Sequence, residues 1–519
     1  LAIGIRLPRG FAALGVAALA AAVAVPLTAS PAAAVNLPIC LSGNLQYDYQ
    51  SAEAGTSKPT MTKPVRNANV QLWGAENSTD IPRQLTLDYQ YTGGADGSFN
   101  LCYTPITTTS MSSLWVQFTT EDTKLWKVSN SAGTLYTLKS TVKNNISTST
   151  NLGIIKPSAA DARAWHAFDT VNLLYSKRNN LLSSCWSARE LNSAACTELN
   201  VQWYANSADG PYYTPGNNTV HLSAADPDSE HTVLHESGHF FMNRLYNGFP
   251  AVTNCSPHYI QLVSSGTCAW TEGFADSTAA YLLGDYRYVW SDGSSYPFTY
   301  TSGWNTGDQV QGNVDGSLLD LWNNVDGGWN STISLLTTNT PSTFAAYWAN
   351  RATAVPPLAT SGAALSYLAN HAIDYGPTIV ADNQYHALTN GGGLALEHAG
   401  QCATTTNVVA DLNTYDPTHA SERWKLDTNT DGTTRIYDSC PTPLTLTAPT
   451  TAGAQATLQA PDSTSQYQKW QVTKNSSGTY TITNPATGYA LDSIGVSTGA
   501  TVTVNPANSA NTQNWATLS

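Results

Sequence analysis

The sequence predicts a multidomain protein with an all-β N-terminal part, a mostly helical centre and a C-terminal β unit built on repeats. Three observations lead there. Short alternating apolar runs separated by turn residues fill 36–155, the pattern of half-buried strands. From about Ser158 the apolar residues take helical spacing, and this continues to about Asp382. After residue 384 the triplets Glu422-Arg-Trp424, Gln468-Lys-Trp470 and Gln513-Asn-Trp515 recur at spacings of 46 and 45 residues. A chain of 519 residues is also too long for one ordinary core.

Residues 1–34 read as a secretory signal peptide. Arg6 and Arg9 open it, Phe11 to Val25 is almost unbroken apolar sequence, and Ala32-Ala33-Ala34 supplies small residues for cleavage. A membrane anchor is the alternative, but the run is short for a span and no basic cluster follows it. The expected product is secreted and extracellular, without a membrane anchor after cleavage. A net charge of −13 argues against nucleic acid as a partner and leaves no basic patch for anionic lipid. The eight cysteines are even in number, which in an exported chain points to disulfides. Sequential pairing (Cys40–Cys102, Cys185–Cys196, Cys255–Cys268, Cys402–Cys440) is favoured because each pair then falls inside one unit. There is no Cys-x-x-Cys, so a thiolate zinc site is not expected.

Within 36–155 the strand candidates include Asn44 to Tyr49, Asn69 to Trp73, Ser98 to Tyr103 and Leu114 to Phe118. The run Pro64 to Trp73 followed by Gly94 to Leu101 resembles the transthyretin-like or carboxypeptidase-regulatory β-sandwich. That resemblance implies a folding or spacing partner; the same segment is also a candidate propeptide.

In the central unit, 158–382, a helix is expected over Ala159–Leu182, with Trp165, Phe168, Val171, Leu174 and Tyr175 on one face. A second is expected to start at Asp226-Pro227, a cap residue followed by proline. Further helical stretches lie around Trp270–Leu283, Gly316–Trp322 and Thr343–Ala352. The second helix carries Leu234-His235-Glu236-Ser237-Gly238-His239. Residues four apart on a helix share a face, so both imidazoles can meet one zinc ion. Glu236 lies beside that face, within reach of a water on the metal without needing to bind it. Farther on, Ala269-Trp270-Thr271-Glu272-Gly273-Phe274-Ala275-Asp276 places two acids four apart on another apolar helix.

Together these motifs resemble the gluzincins, the thermolysin-like zinc peptidases. The resemblance implies a zincin-like catalytic domain with one catalytic Zn2+ held by His235, His239 and Glu272. It also implies Glu236 as catalytic base and Asp276 as the residue that orients a ligand histidine. The separation of 33 positions from His239 to Glu272 exceeds the usual family separation, and a Cys255–Cys268 bridge would staple the insertion. A metzincin-type third histidine is excluded because position 245 is Leu. Relatives stabilise the oxyanion with a Tyr or His, and His258, Tyr259, Tyr286 and Tyr288 are candidates by type. His231, one turn before His235, reads either as facing the cleft or, the favoured reading, as an exposed histidine. The run Asn218 to Ser223 reads either as the edge strand that pairs with an extended substrate or as an ordinary strand.

The repeats of 384–519 resemble the ricin-B-type lectin β-trefoil. Sugar sites of that family use an Asp near the start of a repeat and an aromatic platform before the Gln-x-Trp. Only the third repeat keeps the acid, Asp492, which is the candidate carbohydrate-binding residue; Glu397 and Thr447 stand at the corresponding positions. At the platform positions stand Asn413, Ala460 and Asn505, so glycan binding is left open.

The expected function is therefore hydrolysis of peptide bonds in extracellular proteins by a zinc-dependent endopeptidase, with a lectin-like targeting domain. The substrate could be glycosylated. The alternative is a carbohydrate-binding adhesin with a non-catalytic zinc domain, against which the intact Glu236 speaks. A zinc aminopeptidase is a third reading, but no Gly-x-Met-Glu-Asn-type motif is present.

Overall fold

The computed structural model describes residues 36–518 apart from 87–88, 194, 361–362, 374, 376–384, 403–407, 430, 476–478, 496 and 509. The expected signal segment lies outside the described residues. No helix among them is long and apolar enough to cross a membrane.

The N-terminal strands form two sheets. Ile39–Gln50 alternates buried and half-exposed residues along its length. It pairs antiparallel with Thr60–Pro64 and Ser98–Tyr103, and parallel with Thr150–Ile155. In the second sheet Asn69–Ala75 pairs antiparallel with Met111–Thr119. The inner faces share one core, with Phe99 of the first sheet edge-on to Phe118 of the second at 5.2 Å.

A third sheet crosses from this part into the helical centre. Its order is Tyr212–Thr214, Thr219–Leu222, Leu199–Trp203, Trp126–Ser129, Glu121–Asp122. The alternating pattern of 36–155 places 121–129 with the N-terminal strands, whereas Trp126–Ser129 runs parallel to Leu199–Trp203. The cause is Trp126, which is fully buried, stacks on Phe168 at 5.4 Å and donates its indole N–H to the Phe168 carbonyl. One continuous apolar core results, running from Ile39 to Ile373. The order also decides between the two readings of Asn218 to Ser223: Thr219–Leu222 is an inner strand, and Tyr212–Thr214 is an edge strand.

Seven helices among the described residues follow: α1 Ala162–Lys177, α2 Glu230–Tyr246, α3 Gly266–Leu283, α4 Gln311–Asn324, α5 Asn330–Thr338, α6 Phe344–Thr353 and α7 Ala363–Asn370. Helix α2 starts later than expected. Asp226-Pro227-Asp228 forms a single 3-10 turn, because the Asp226 carboxylate accepts the Ser223 N–H at 2.6 Å. Ser229 caps α2 instead, its hydroxyl accepting the Thr232 N–H, and Asn247 in the left-handed region ends it.

Helices α2, α3 and α4 approach closely at two glycines. A β-carbon on Gly238 would lie 3.1 Å from the Ala275 Cα, and one on Gly273 would lie 2.9 Å from the Gln311 carbonyl oxygen and from Val314. Glycine in mid-helix normally weakens it. Here it lets the two motif-bearing helices, and α3 with α4, come together backbone to backbone.

The C-terminal strands have a separate core. Its three repeats are superimposed in their bonding. The short turns Ala420–Glu422, Gln466–Gln468 and Asn511–Gln513 each precede a fully buried tryptophan. The indole N–H of Trp424, Trp470 and Trp515 donates to the carbonyl of Leu396, Leu446 and Leu491 at 2.8, 2.9 and 3.0 Å. Glu422, Gln468 and Gln513 accept the backbone N–H of Asp416, Asp462 and Asn508. All four sequentially paired disulfides are present.

Candidate metal centre

Helix α2 turns His235 and His239 to one side, and α3 meets it there with Glu272. Nε2 of His235 and of His239 lie 3.2 and 3.4 Å from the same Glu272 oxygen, Oε2. Two atoms bound tetrahedrally at about 2.0–2.1 Å from zinc are about 3.3 Å apart, so this donor set fits the ion. Two imidazoles and one carboxylate are also the ligand chemistry of a site with an open position. Both histidines are buried, and His239 Nδ1 has no hydrogen-bond partner among the described residues.

The electrostatics favour a cation at this point. Burial works against charge on His235, yet Asp276 and Glu272 raise its proton affinity well above that of a free imidazole. Burial likewise opposes ionisation of Glu272, but His239 and His235 hold its carboxyl well below the usual range. Burial pushes the Glu236 carboxyl up, with His235 and His239 pulling it down and Glu272 adding to the rise. Asp276, fully buried on α3, meets His235 Nδ1 through Oδ1 at 2.6 Å. Its Oδ2 accepts from Gln311 Nε2 at 2.5 Å. Gln311, on the first turn of α4, is a site residue that sequence reasoning missed, since no motif marks a single glutamine one helix away.

These groups floor a cleft of about 770 Å³ whose walls include Tyr212, Phe249, Trp290 and Tyr296. Of the four residues considered for the oxyanion, His258, Tyr259 and Tyr288 line it. The Tyr286 hydroxyl instead accepts from the Asn323 amide at the surface. Cys255, bonded to Cys268, ties the insertion between His239 and Glu272 down beside Glu272, with its sulfur 3.7 Å from Oε1.

His231 is not exposed but fully buried, with Nδ1 3.3 Å from Glu53 and Nε2 3.1 Å from the Asp285 carbonyl. The N-terminal part covers it. Glu53 Oε1 accepts the backbone N–H of Glu230 and His231 at 2.7 and 3.2 Å, which caps the positive end of α2 with a carboxylate. Lys63 pairs with Glu230 at 2.6 Å, and Lys58 and Arg163 both hold Asp228. The N-terminal segment is thus joined to the start of α2 by a helix cap and ion pairs. Glu53→Ala is expected to lower unfolding stability by about 1–2 kcal/mol through loss of that cap. Thermal or denaturant unfolding measures it, and an unchanged midpoint would refute the capping role.

In the C-terminal unit Asp492 Oδ2 accepts from Gln513 at 3.0 Å and from Asn505 at 3.1 Å, while Oδ1 has no hydrogen-bond partner among the described residues. Asn505, at the platform position, thus tethers the acid instead of offering a ring. Glu397 in the first repeat accepts from Ser421, and Thr447 in the second donates to the Thr445 carbonyl.

Fold and site together define a thermolysin-like peptidase with a ricin-B-type C-terminal domain. The chain carries the mycolysin middle domain over residues 40–164 and the mycolysin C-terminal domain over 178–372, followed by a ricin-type β-trefoil lectin domain over 383–515. The strands that suggested a transthyretin-like sandwich fall within the mycolysin middle domain. No curated protein matches the chain. Among solved structures it is similar to the designed three-fold symmetric protein ThreeFoil, with 20% identity, 26% of this chain, 98% of that chain and a TM-score of 0.25. It is also similar to the BEL β-trefoil, with 16% identity, 27% and 97% coverage and a TM-score of 0.23. The ricin B-like lectin of Macrolepiota procera in complex with lactose gives 16% identity, 27% and 98% coverage and a TM-score of 0.23.

Proposed function

We propose that this peptidase is a secreted, zinc-dependent endopeptidase acting on extracellular proteins, with His235, His239 and Glu272 as the zinc ligands. The observation that carries the reading is the convergence of those three donors beside a buried Glu236 at the floor of an aromatic cleft. Zinc there would supply a polarised water and a Lewis acid for the scissile carbonyl. Glu236 takes the water's proton and returns it to the leaving amine. Asp276 keeps the His235 ring in the tautomer that leaves Nε2 free for the metal.

The outermost strand Tyr212–Thr214 offers the free edge along which an extended peptide can pair. The units of this reading are 36–155, folded as a two-sheet sandwich, 158–382 and 384–519. Export follows from the leader-like residues 1–34 and accords with the four disulfides. Asp492, whose Oδ1 has no partner among the described residues, is the residue through which the trefoil would hold a glycan and so bring the enzyme to a glycosylated substrate. An adhesin with a silent metal domain would have no use for Glu236 in the cleft.

The test is digestion of an unfolded protein by purified chain, with mass spectrometry of the products. Internal fragments are expected. Stepwise loss of single N-terminal residues would favour an aminopeptidase instead, and binding to glycans without any cleavage would favour the adhesin.

A further inference from the structure

Gln311 sits at the start of α4, 4% exposed, with both ends of its amide engaged. Nε2 donates to Asp276 Oδ2 at 2.5 Å, and Oε1 faces His258 Nδ1 at 2.8 Å. The directions of these bonds are forced. Gln311 gives its NH2 to Asp276, which leaves its carbonyl for His258. A carbonyl also only accepts, so His258 carries its proton on Nδ1. Nε2 is thereby assigned to the cleft, where it stands 3.8 Å from Glu272 Oε2.

The backbone holds the same register. The loop that follows His258 is strapped to the approach of α4. Gly312 N–H donates to the Ile260 carbonyl at 2.8 Å, Ser264 N–H donates to the Gln309 carbonyl at 2.9 Å, and Val263 bridges Val310. His258, on a loop and with a side chain about one-third exposed, is thus fixed by a buried group rather than by its own element.

Resting on the peptidase reading, we propose that Gln311 is a positioning residue that couples His258 to the Asp276–His235 pair and so fixes which His258 nitrogen meets the substrate. With Nδ1 committed to Gln311, the ring presents Nε2 beside the metal ligands. In the neutral ring that atom accepts from a substrate peptide N–H; in the charged ring it donates to the carbonyl oxygen under attack. In both cases the contact depends on the ring's direction, which Gln311 sets from the same carboxylate that orients His235.

Two measurements on the full chain test this. The first is NMR of isotope-labelled histidine on the zinc-loaded full chain at a pH where the His258 ring is neutral, with His258→Ala to assign the signal. Wild type is expected to show His258 protonated on Nδ1, and Gln311→Met to shift the population toward the Nε2 tautomer. An unchanged tautomer in the variant would overturn the proposal.

The second is a cycle of Gln311→Met, His258→Ala and the double variant, with thermal unfolding and zinc affinity measured for each. Gln311→Met is expected to lower kcat about 10- to 100-fold with KM within about three-fold, and the double variant to be no slower than His258→Ala alone. Losses that multiply in the double variant would instead mean that Gln311 acts without His258. Gln311→Asn, too short to reach both partners, serves if the Met variant does not fold, and the same outcomes apply to it. Wild-type protein that cleaves nothing would sink the peptidase reading while the tautomer result still decides the role of Gln311.

Discussion

Glu236→Gln is expected to lower peptide hydrolysis about 100- to 10,000-fold while zinc affinity stays within about three-fold of wild type. The expectation follows from where the carboxylate stands. Glu236 is adjacent to His235 on α2 but is not one of the three converging donors, so the amide replacement leaves the ligand set complete. It lines the cleft, and burial pushes its carboxyl above the ordinary range, which suits a group that must gain and lose a proton in one turnover. Gln fills the same volume and still hydrogen-bonds, but it cannot accept that proton. Equal rates for the two proteins would remove Glu236 from the mechanism.

Glu272→Ala is expected to weaken zinc binding by more than about 100-fold, and Asp276→Asn by about 10- to 100-fold. The order matters more than either figure. In the proposed site Glu272 would contribute a donor atom, and its carboxylate faces both imidazoles at 3.2 and 3.4 Å. Asp276 acts one bond farther out, through His235 Nδ1. Competition against a chromogenic chelator reads both affinities. If Glu272→Ala kept wild-type affinity, the third ligand would lie elsewhere.

The parts of this site that the sequence disclosed are those encoded by short, regular spacing. His235 and His239 are four apart on one helix, and Glu272 and Asp276 are four apart on another, so each pair shares a face before any tertiary structure is known. The trefoil was legible for a related reason, because three in-register tryptophans announce three equivalent buried positions. What escaped depends on packing between segments far apart in the chain. Gln311 is a lone amide on a helix that carries no motif, and its partners lie 35 and 53 residues away. Glu53 reaches α2 across 177 residues, and the burial of His231 follows from that contact.

The strand errors have a different origin. Period-2 alternation reports which face of a strand is buried, not which neighbour it pairs with. The pattern therefore leaves Trp126–Ser129 among its N-terminal neighbours although it pairs with Leu199–Trp203, and it leaves the run around Thr219–Leu222 open between an edge and an inner strand, where Tyr212–Thr214 is the edge. The start of α2 slipped because Asp226 has a closer backbone donor, Ser223, than the helix it was expected to cap.

The central claim is that one zinc ion at His235, His239 and Glu272 is what makes this chain a peptidase. The most direct measurement strips the purified protein with a chelator and then titrates zinc back while hydrolysis of an unfolded protein is followed. Activity is expected to vanish on stripping and to return in proportion to bound metal, saturating at one zinc per chain. Hydrolysis that persists in the stripped protein, or a chain that binds its zinc and cleaves nothing, would contradict it.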